Sequence, residues 1–239
     1  MTQQKVDLNT PDGMGRLAAL YRYAQVGRCV NGVAHDINNL LGAVLAYTEL
    51  VQLEPGLTEN GQRMLDNVLE AAEKCASLVS ALTAIARPER ESQDMVDLGA
   101  LLREMSLLRD YAFRNGRISY ELILPESTPS ALVDGPKLRW IILYLLLNAE
   151  DAVADAEAGA RIIRVELSSG SGGFDISVWN PQVTDLDPET VFLPLNTSRN
   201  TGLGVGLFLA RDLAERIGGT LTLDPRKGFT VHLPGVSSG

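Results

Sequence analysis

The chain is poor in histidine, cysteine and aromatic residues: it has two His, two Cys and only 5% Phe, Trp and Tyr among 239 residues. Cys29 and Cys75 stand in no CxxC or Cys/His ligand spacing, so neither a disulfide framework nor a thiolate metal centre is expected, and both read as buried small hydrophobes. Long apolar runs are missing too. The longest, residues 141–147, is far shorter than the ~20 residues that a helix needs to cross a bilayer. The polar start Met1-Thr2-Gln3-Gln4-Lys5-Val6-Asp7 lacks the apolar core of a signal peptide. Positive charge is in deficit: the net charge is −9, with no basic run and no aromatic-basic alternation to track a phosphate backbone. These absences predict a cytoplasmic globular protein that neither enters a membrane nor binds nucleic acid, while a basic partner surface stays compatible with its charge.

What is present begins with a long helical pattern. From about residue 14 to 53 nothing breaks the 3.6-residue period, and Glu54-Pro55-Gly56 then stops it. Thr58 is placed to cap a second helix, with Glu59 in its first turn. In that helix Leu65, Val68, Ala72, Cys75, Val79, Leu82 and Ala86 follow the three-four spacing of a coiled-coil seam. Two long helices joined by a short turn make an antiparallel hairpin with little core of its own. Pairing two hairpins into a four-helix bundle, hence a homodimer, is the natural solution; the alternative is a hairpin packed on the rest of its own chain.

His35 lies in the first of these helices. It shares a face with Arg28, Asn31, Gly32, Asn38, Asn39 and Gly42, while Val30, Val33, Ala34, Ile37, Leu41, Val44 and Leu45 fall mostly on the other side, so His35 is expected to face water. By itself that describes a solvated surface histidine. His232, between Val231 and Leu233 in a strand pattern, reads as structural.

Residues 87–94 are polar, carry Pro88 and read as a linker to a second domain of mixed α+β pattern. There Val96-Asp97-Leu98 opens a strand, residues 101–113 a helix, 117–125 a strand and 134–156 a helix. A hairpin of 161–167 with 174–179 follows, then an irregular stretch over 181–201. The chain closes with a helix at 205–217 and two strands, 220–223 and 229–233. Helices covering one face of a sheet is the expected layering. Asn148, on a helix with apolar flanks, either stabilises the helix end or offers its carbonyl to Mg²⁺, a hard cation that takes oxygen ligands. Asn200-Thr201-Gly202-Leu203-Gly204-Val205-Gly206 precedes a helix, as a turn or as a cradle whose backbone N–H groups approach a phosphate. Its spacing is not the dinucleotide fingerprint.

Taken in this order, the motifs make the chain resemble the sensor histidine kinases over nearly all of residues 16–233. His35-Asp36-Ile37-Asn38-Asn39-Leu40-Leu41 is similar to the family's phosphoacceptor box. Asp134 with residues 143–152 resembles the asparagine box, Val191-Phe192-Leu193-Pro194-Leu195-Asn196-Thr197-Ser198-Arg199 the phenylalanine box, and residues 201–206 the second glycine box. The resemblance implies a polar arm (1–13), a dimerisation and phosphotransfer hairpin (14–90) forming a dimeric four-helix bundle, and a Bergerat-type ATP-binding α+β sandwich (91–235). It implies ATP and Mg²⁺ as cofactors, His35 as the nucleophile, Asp36 holding its ring, and Asn148 on Mg²⁺. The glycines Gly202, Gly204 and Gly206 would face the phosphates, and Thr197 or Arg199 would stabilise charge on the transferring group. In the family, an acid beside the His followed by Asn or Thr four residues after the His goes with dephosphorylation of the partner response regulator by an oriented water, a role the resemblance implies for Asp36 and Asn39. The implied partners are a second copy, the receiver domain of a response regulator and an upstream sensor protein, input arriving through a partner or the short arm.

The chain departs from the family pattern at two places. After the strand at 174–179 the family carries Asp-x-Gly-x-Gly, its Asp binding the adenine amino group. This chain reads Val178-Trp179-Asn180-Pro181-Gln182-Val183-Thr184-Asp185, with Asn180 at the Asp and its carbonyl available to adenine. Tyr144 replaces the first asparagine of the asparagine box. The expectation is an ATP-dependent histidine kinase; the alternative is a dimeric phosphorelay module whose ATP domain is vestigial.

Overall fold

The computed structural model describes residues 4–5, 7, 10–86, 93–170, 172–197 and 203–235. The chain divides into two compact units, one of Tyr23–Pro88 and one of Met1–Arg22 with Glu89–Gly239. A helical N-terminal region is followed by a mixed α+β domain, as the change of hydrophobic period from 3.6 to 2 predicts. Most of the linker expected at 87–94 lies outside the described residues.

After a two-residue strand β1 (Gln4–Lys5), helix α1 runs over Pro11–Gln52. It starts three residues earlier than expected because Thr10 Oγ1 accepts the Gly13 N–H at 3.1 Å and Pro11 takes the first helical position, where no N–H is needed. Gly56, at φ 101°, makes the turn. Thr58 Oγ1 accepts the Gly61 N–H at 3.1 Å, the cap expected for α2 (Glu59–Ala86). A 2.8 Å hydrogen bond from Gln52 Nε2 to Asp66 Oδ1 ties the end of α1 to α2.

The seam of α2 splits in the structure. Ala72 is buried and Leu65 and Val79 are half-buried, but Val68, Cys75 and Leu82 are exposed. On α1, Ala34 and Thr48 are buried, whereas Val33, Ile37, Leu40, Val44, Tyr47 and Val51 form a second, exposed apolar stripe at three-four spacing. One half of each seam is therefore covered and the other faces water. The expectation that the apolar side of α1 would be buried holds for only half of it, because an a/d stripe serves two neighbours.

The second domain continues with β2 (Asp94–Asp97), α3 (Leu98–Asn115), β3 (Ser119–Ile123), β4 (Ser130–Val133), α4 (Gly135–Val153), β5 (Ile162–Gly170) and β6 (Gly173–Trp179). A 3₁₀ turn at Pro181–Asp185 leads to β7 (Asn196–Thr197), α5 (Gly206–Arg216), β8 (Thr220–Asp224) and β9 (Gly228–Pro234). Five strands form the main sheet in the order β3-β5-β6-β9-β8, with β3 parallel to β5 and the other pairs antiparallel. Two-stranded pairings join β2 to β4 and β1 to β7. The core is α4 on the sheet. Leu138, Ile141, Ile142, Leu145 and Leu146 are at most 1% exposed, as are Ile163, Val165, Ile176 and Val178 of the strands. Each such side chain contributes ~1.5–3 kcal/mol by leaving water. The helix is apolar over most of its circumference because it lies between the sheet and its neighbours α3 and α5.

The opposite face of the sheet is polar. Arg164 pairs with Glu121 at 2.8 Å and lies over the Trp179 ring at 5.4 Å. Ser177 meets Thr230 at 3.0 Å, and Asp175 Oδ1 lies 2.7 Å from His232 Nδ1 across the β6–β9 ladder. His232 therefore serves the sheet. Among the described residues no helix is long and apolar enough to cross a membrane.

Candidate active site

His35 projects from the middle of α1 with three-quarters of its side chain exposed. Its Nδ1 is 3.3 Å from Asn39 Nδ2, one helical turn on, and 3.5 Å from Asp36 Oδ1. Both contacts engage Nδ1, and among the described residues none reaches Nε2. The two contacts ask for different tautomers. Donation from Nδ1–H to Asp36 leaves a lone pair on Nε2, whereas donation from Asn39 to Nδ1 puts the ring proton on Nε2. Asp36 therefore favours the nucleophilic form of Nε2, and Asn39, donating, the other. An exposed ring with one nitrogen held and the other open can attack an incoming electrophile.

In the second domain the candidate residues gather around α4. Asp134 caps the helix by accepting the Lys137 N–H at 3.0 Å, and its other oxygen meets Lys137 Nζ in a buried pair. Tyr144 stacks on Trp140 with ring centroids 5.4 Å apart, and a Cβ built on Gly206 would lie 3.8 Å from its ring. The asparagine-box helix thus meets the start of α5 at Tyr144, and Asn148 lies one turn further along the same face, half-buried. Two turns of ion pairing hold α4 to α3: Arg139 with Glu104 at 2.9 Å, and Arg109 in a fork on Glu150 at 2.6 and 2.7 Å. The Glu150 carboxylate raises the affinity of the Arg109 guanidinium for its proton, against its burial.

The start of α5 has the features of an anion cradle. Val205, at the cap position, supplies no side-chain acceptor, so the first N–H groups of the helix have no side-chain cap. Gly204 sits at φ +67°, and a Cβ there would lie 2.6 Å from the Asn196 carbonyl oxygen, so only glycine fits this close approach. Phe192 is buried, edge-on to Phe229 at 5.9 Å and under Arg211 at 5.2 Å, which anchors the preceding segment to the core. Asn196 Nδ2 bonds the Thr190 carbonyl at 2.7 Å. The backbone of Thr197 lies in β7, opposite Gln4; its side chain, like Arg199 and Gly202, falls outside the described residues.

Asn180 is fully buried at the end of β6. Its Oδ1, the atom expected to serve adenine, already accepts the Gln182 N–H at 3.0 Å, and its Nδ2 is without a partner among the described residues. The reason is local: an Asn before Pro caps the turn that follows. That Asn-Pro signal was available in the sequence, whereas the burial of Gln182 Oε1 beside it, likewise unpartnered among the described residues, was not. An uncapped helix start, a glycine cradle, an oxygen donor on the adjoining helix and an orphaned buried amide fit a nucleotide with its divalent cation.

Comparison with known proteins bears on the two parts of the chain in turn. The His Kinase A (phospho-acceptor) domain matches residues 25–91, and the histidine kinase-, DNA gyrase B- and HSP90-like ATPase matches residues 133–236. The C4-dicarboxylate transport sensor protein DctB of Rhizobium meliloti (strain 1021) is 26% identical over 85% of this chain and 33% of its own length. The sensory histidine kinase/phosphatase NtrB of Vibrio alginolyticus is 25% identical over 86% of this chain and 61% of its own. The chain thus spans about a third of the first relative's length. The catalytic domain of histidine kinase ThkA is similar in fold, with a TM-score of 0.51 at 21% identity over 60% of this chain and 96% of that one. The phospho-acceptor and ATPase matches follow one another along most of the chain, and on that ground it belongs to the two-component sensor histidine kinase family, whose two-domain catalytic core it carries.

Proposed function

We propose that the protein, a homodimer in the cytoplasm, takes the γ-phosphoryl group of Mg²⁺-ATP onto His35 and passes it to an aspartate on the receiver domain of a response regulator. The observation that carries this reading is the exposed His35 ring, engaged at Nδ1 and open at Nε2. The Nε2 lone pair attacks the γ-phosphorus and an N–P bond forms. The bond from that phosphorus to the β–γ bridging oxygen breaks, and ADP leaves with the electron pair. Asp36 accepts the Nδ1–H bond as positive charge develops on the ring. Phosphoryl transfer asks chiefly for alignment and electrostatics. Residues 14–90 would supply the acceptor and the dimer, and residues 91–235 the nucleotide. There Asn148 would ligate Mg²⁺, Gly202, Gly204 and Gly206 would line the phosphates, and Thr197 and Arg199 would meet the transferring group. Bound Mg²⁺ would neutralise phosphate charge. The input would come from an upstream sensor protein or through the arm.

Asn39, one turn from His35, would orient a water for dephosphorylating the regulator; an Asn39→Ala variant is expected to lose that activity while its His35 still takes phosphate. The exposed stripes on α1 and α2 support the dimer. A relay protein that receives phosphate from another kinase is the competing reading, favoured by the glycine-free segment after Trp179. Incubation with Mg²⁺ and γ-labelled ATP separates them. The proposal expects an acid-labile label on the wild type and none on His35→Gln; an unlabelled wild type, where a known kinase can label it, would leave the relay.

A further inference from the structure

Asn180 is fully buried, yet only half of its amide is used. The 3.0 Å bond from the Gln182 N–H to Oδ1 fixes which way the amide points, because turned over it would set Nδ2–H against another N–H. The orphan is therefore a donor. Two residues on, Gln182 Oε1 is a buried acceptor, also without a partner among the described residues. Buried polar groups in folded proteins are nearly always satisfied, and those left open point to a ligand or water that completes them. Both amides belong to the turn between β6 and β7, and that turn packs on α4, the helix that carries Asn148. Resting on the nucleotide reading above, phosphates at the start of α5 and a cation at Asn148 leave this turn to the base. Gln182 is only half-buried, so its long side chain can swing to admit one.

We infer that Asn180 and Gln182 read the edge of a purine, and that they accept 6-oxopurine nucleotides as well as ATP. Adenine offers N1 as an acceptor beside an N6–H donor, and guanine or hypoxanthine offers O6 as an acceptor beside an N1–H donor. Their order is reversed, so with the base shifted by one ring position either edge gives an acceptor to Asn180 Nδ2–H and a neighbouring donor to Gln182 Oε1. A carboxylate at position 180 would offer acceptors only. Facing N1 of adenine or O6 of guanine it would repel both, so the amide supplies the donor that either base needs.

The test is binding to the full chain, by titration calorimetry with ATP, GTP and ITP, each with Mg²⁺. Wild-type affinities for ATP and GTP are expected within about fivefold of each other. Asn180→Asp should weaken ATP and GTP alike, by about tenfold or more, since a good base-edge pair is worth that much. Gln182→Met, which keeps the side-chain length and removes the acceptor, should weaken both nucleotides together. Tight ATP binding with rejection of GTP beyond about a hundredfold in the wild type overturns this inference alone, and needs no variant to fold. Affinities of Asn180→Asp and Gln182→Met that equal the wild type's for both nucleotides also overturn it. If none of the three nucleotides binds, the kinase reading fails along with the inference.

Discussion

Arg109 and Glu150 form a charged pair that positions the site without belonging to it. Their two-pronged contact, 2.6 and 2.7 Å, locks α3 to α4 two residues past Asn148, with both side chains at most one-quarter exposed. Charge-assisted bonds of this kind are stronger than neutral ones, and removing one partner leaves the other unsatisfied. Glu150→Ala is therefore expected to destabilise the second domain by about 2 kcal/mol, measured by urea denaturation, with Arg109→Ala,Glu150→Ala costing less than the sum of the single changes. His35 and its neighbours Asp36 and Asn39 were legible in the sequence because spacing of one and four residues on a helix is enough to bring them together. The Arg109–Glu150 pair was not, since 41 residues separate its members and only the packing of two helices makes them neighbours.

At the scale of elements, the split seams of α1 and α2 carry a consequence for assembly. A helix pair that exposes Val68 and Leu82 at 43% and Leu40 at 68% leaves apolar surface in water that a second hairpin would bury. The double change Val68→Glu with Leu82→Glu is expected to halve the mass in light scattering while leaving helical circular dichroism largely intact. Unchanged mass would argue against a dimer through this face. The long helices and the hairpin of β5 with β6 were legible because their periods repeat over many residues. The four-residue β4 and the two-residue β1 and β7 were not: their hydrogen bonds go to strands 30 or more residues away, and so short a run has no periodicity. The polar arm in particular read as unpaired, yet Gln4 and Lys5 stand opposite Thr197 and Asn196.

At the scale of the molecule, two compact units on one chain need not unfold together. Scanning calorimetry should resolve two transitions. The hairpin's should rise with protein concentration if it is dimeric, and the α+β domain's should rise with Mg²⁺-ATP, by about 2.7 kcal/mol at a hundred times Kd; a single transition indifferent to both would contradict the assignment of the two roles. The sequence alone determined the order of the parts: a helical hairpin with a histidine box, then strands and helices with an asparagine helix and a glycine-rich helix start. It could do so because helical faces, caps and turns are local, set by residues within a few positions of one another. Only the tertiary structure decided which half of each seam is covered, that the polar arm pairs with β7, and that Tyr144 meets Gly206. It also decided that Asn180 is fully buried with its Nδ2 donor left without a partner among the described residues. Those facts depend on burial and on groups far apart in the chain, and burial is a property of the packed whole.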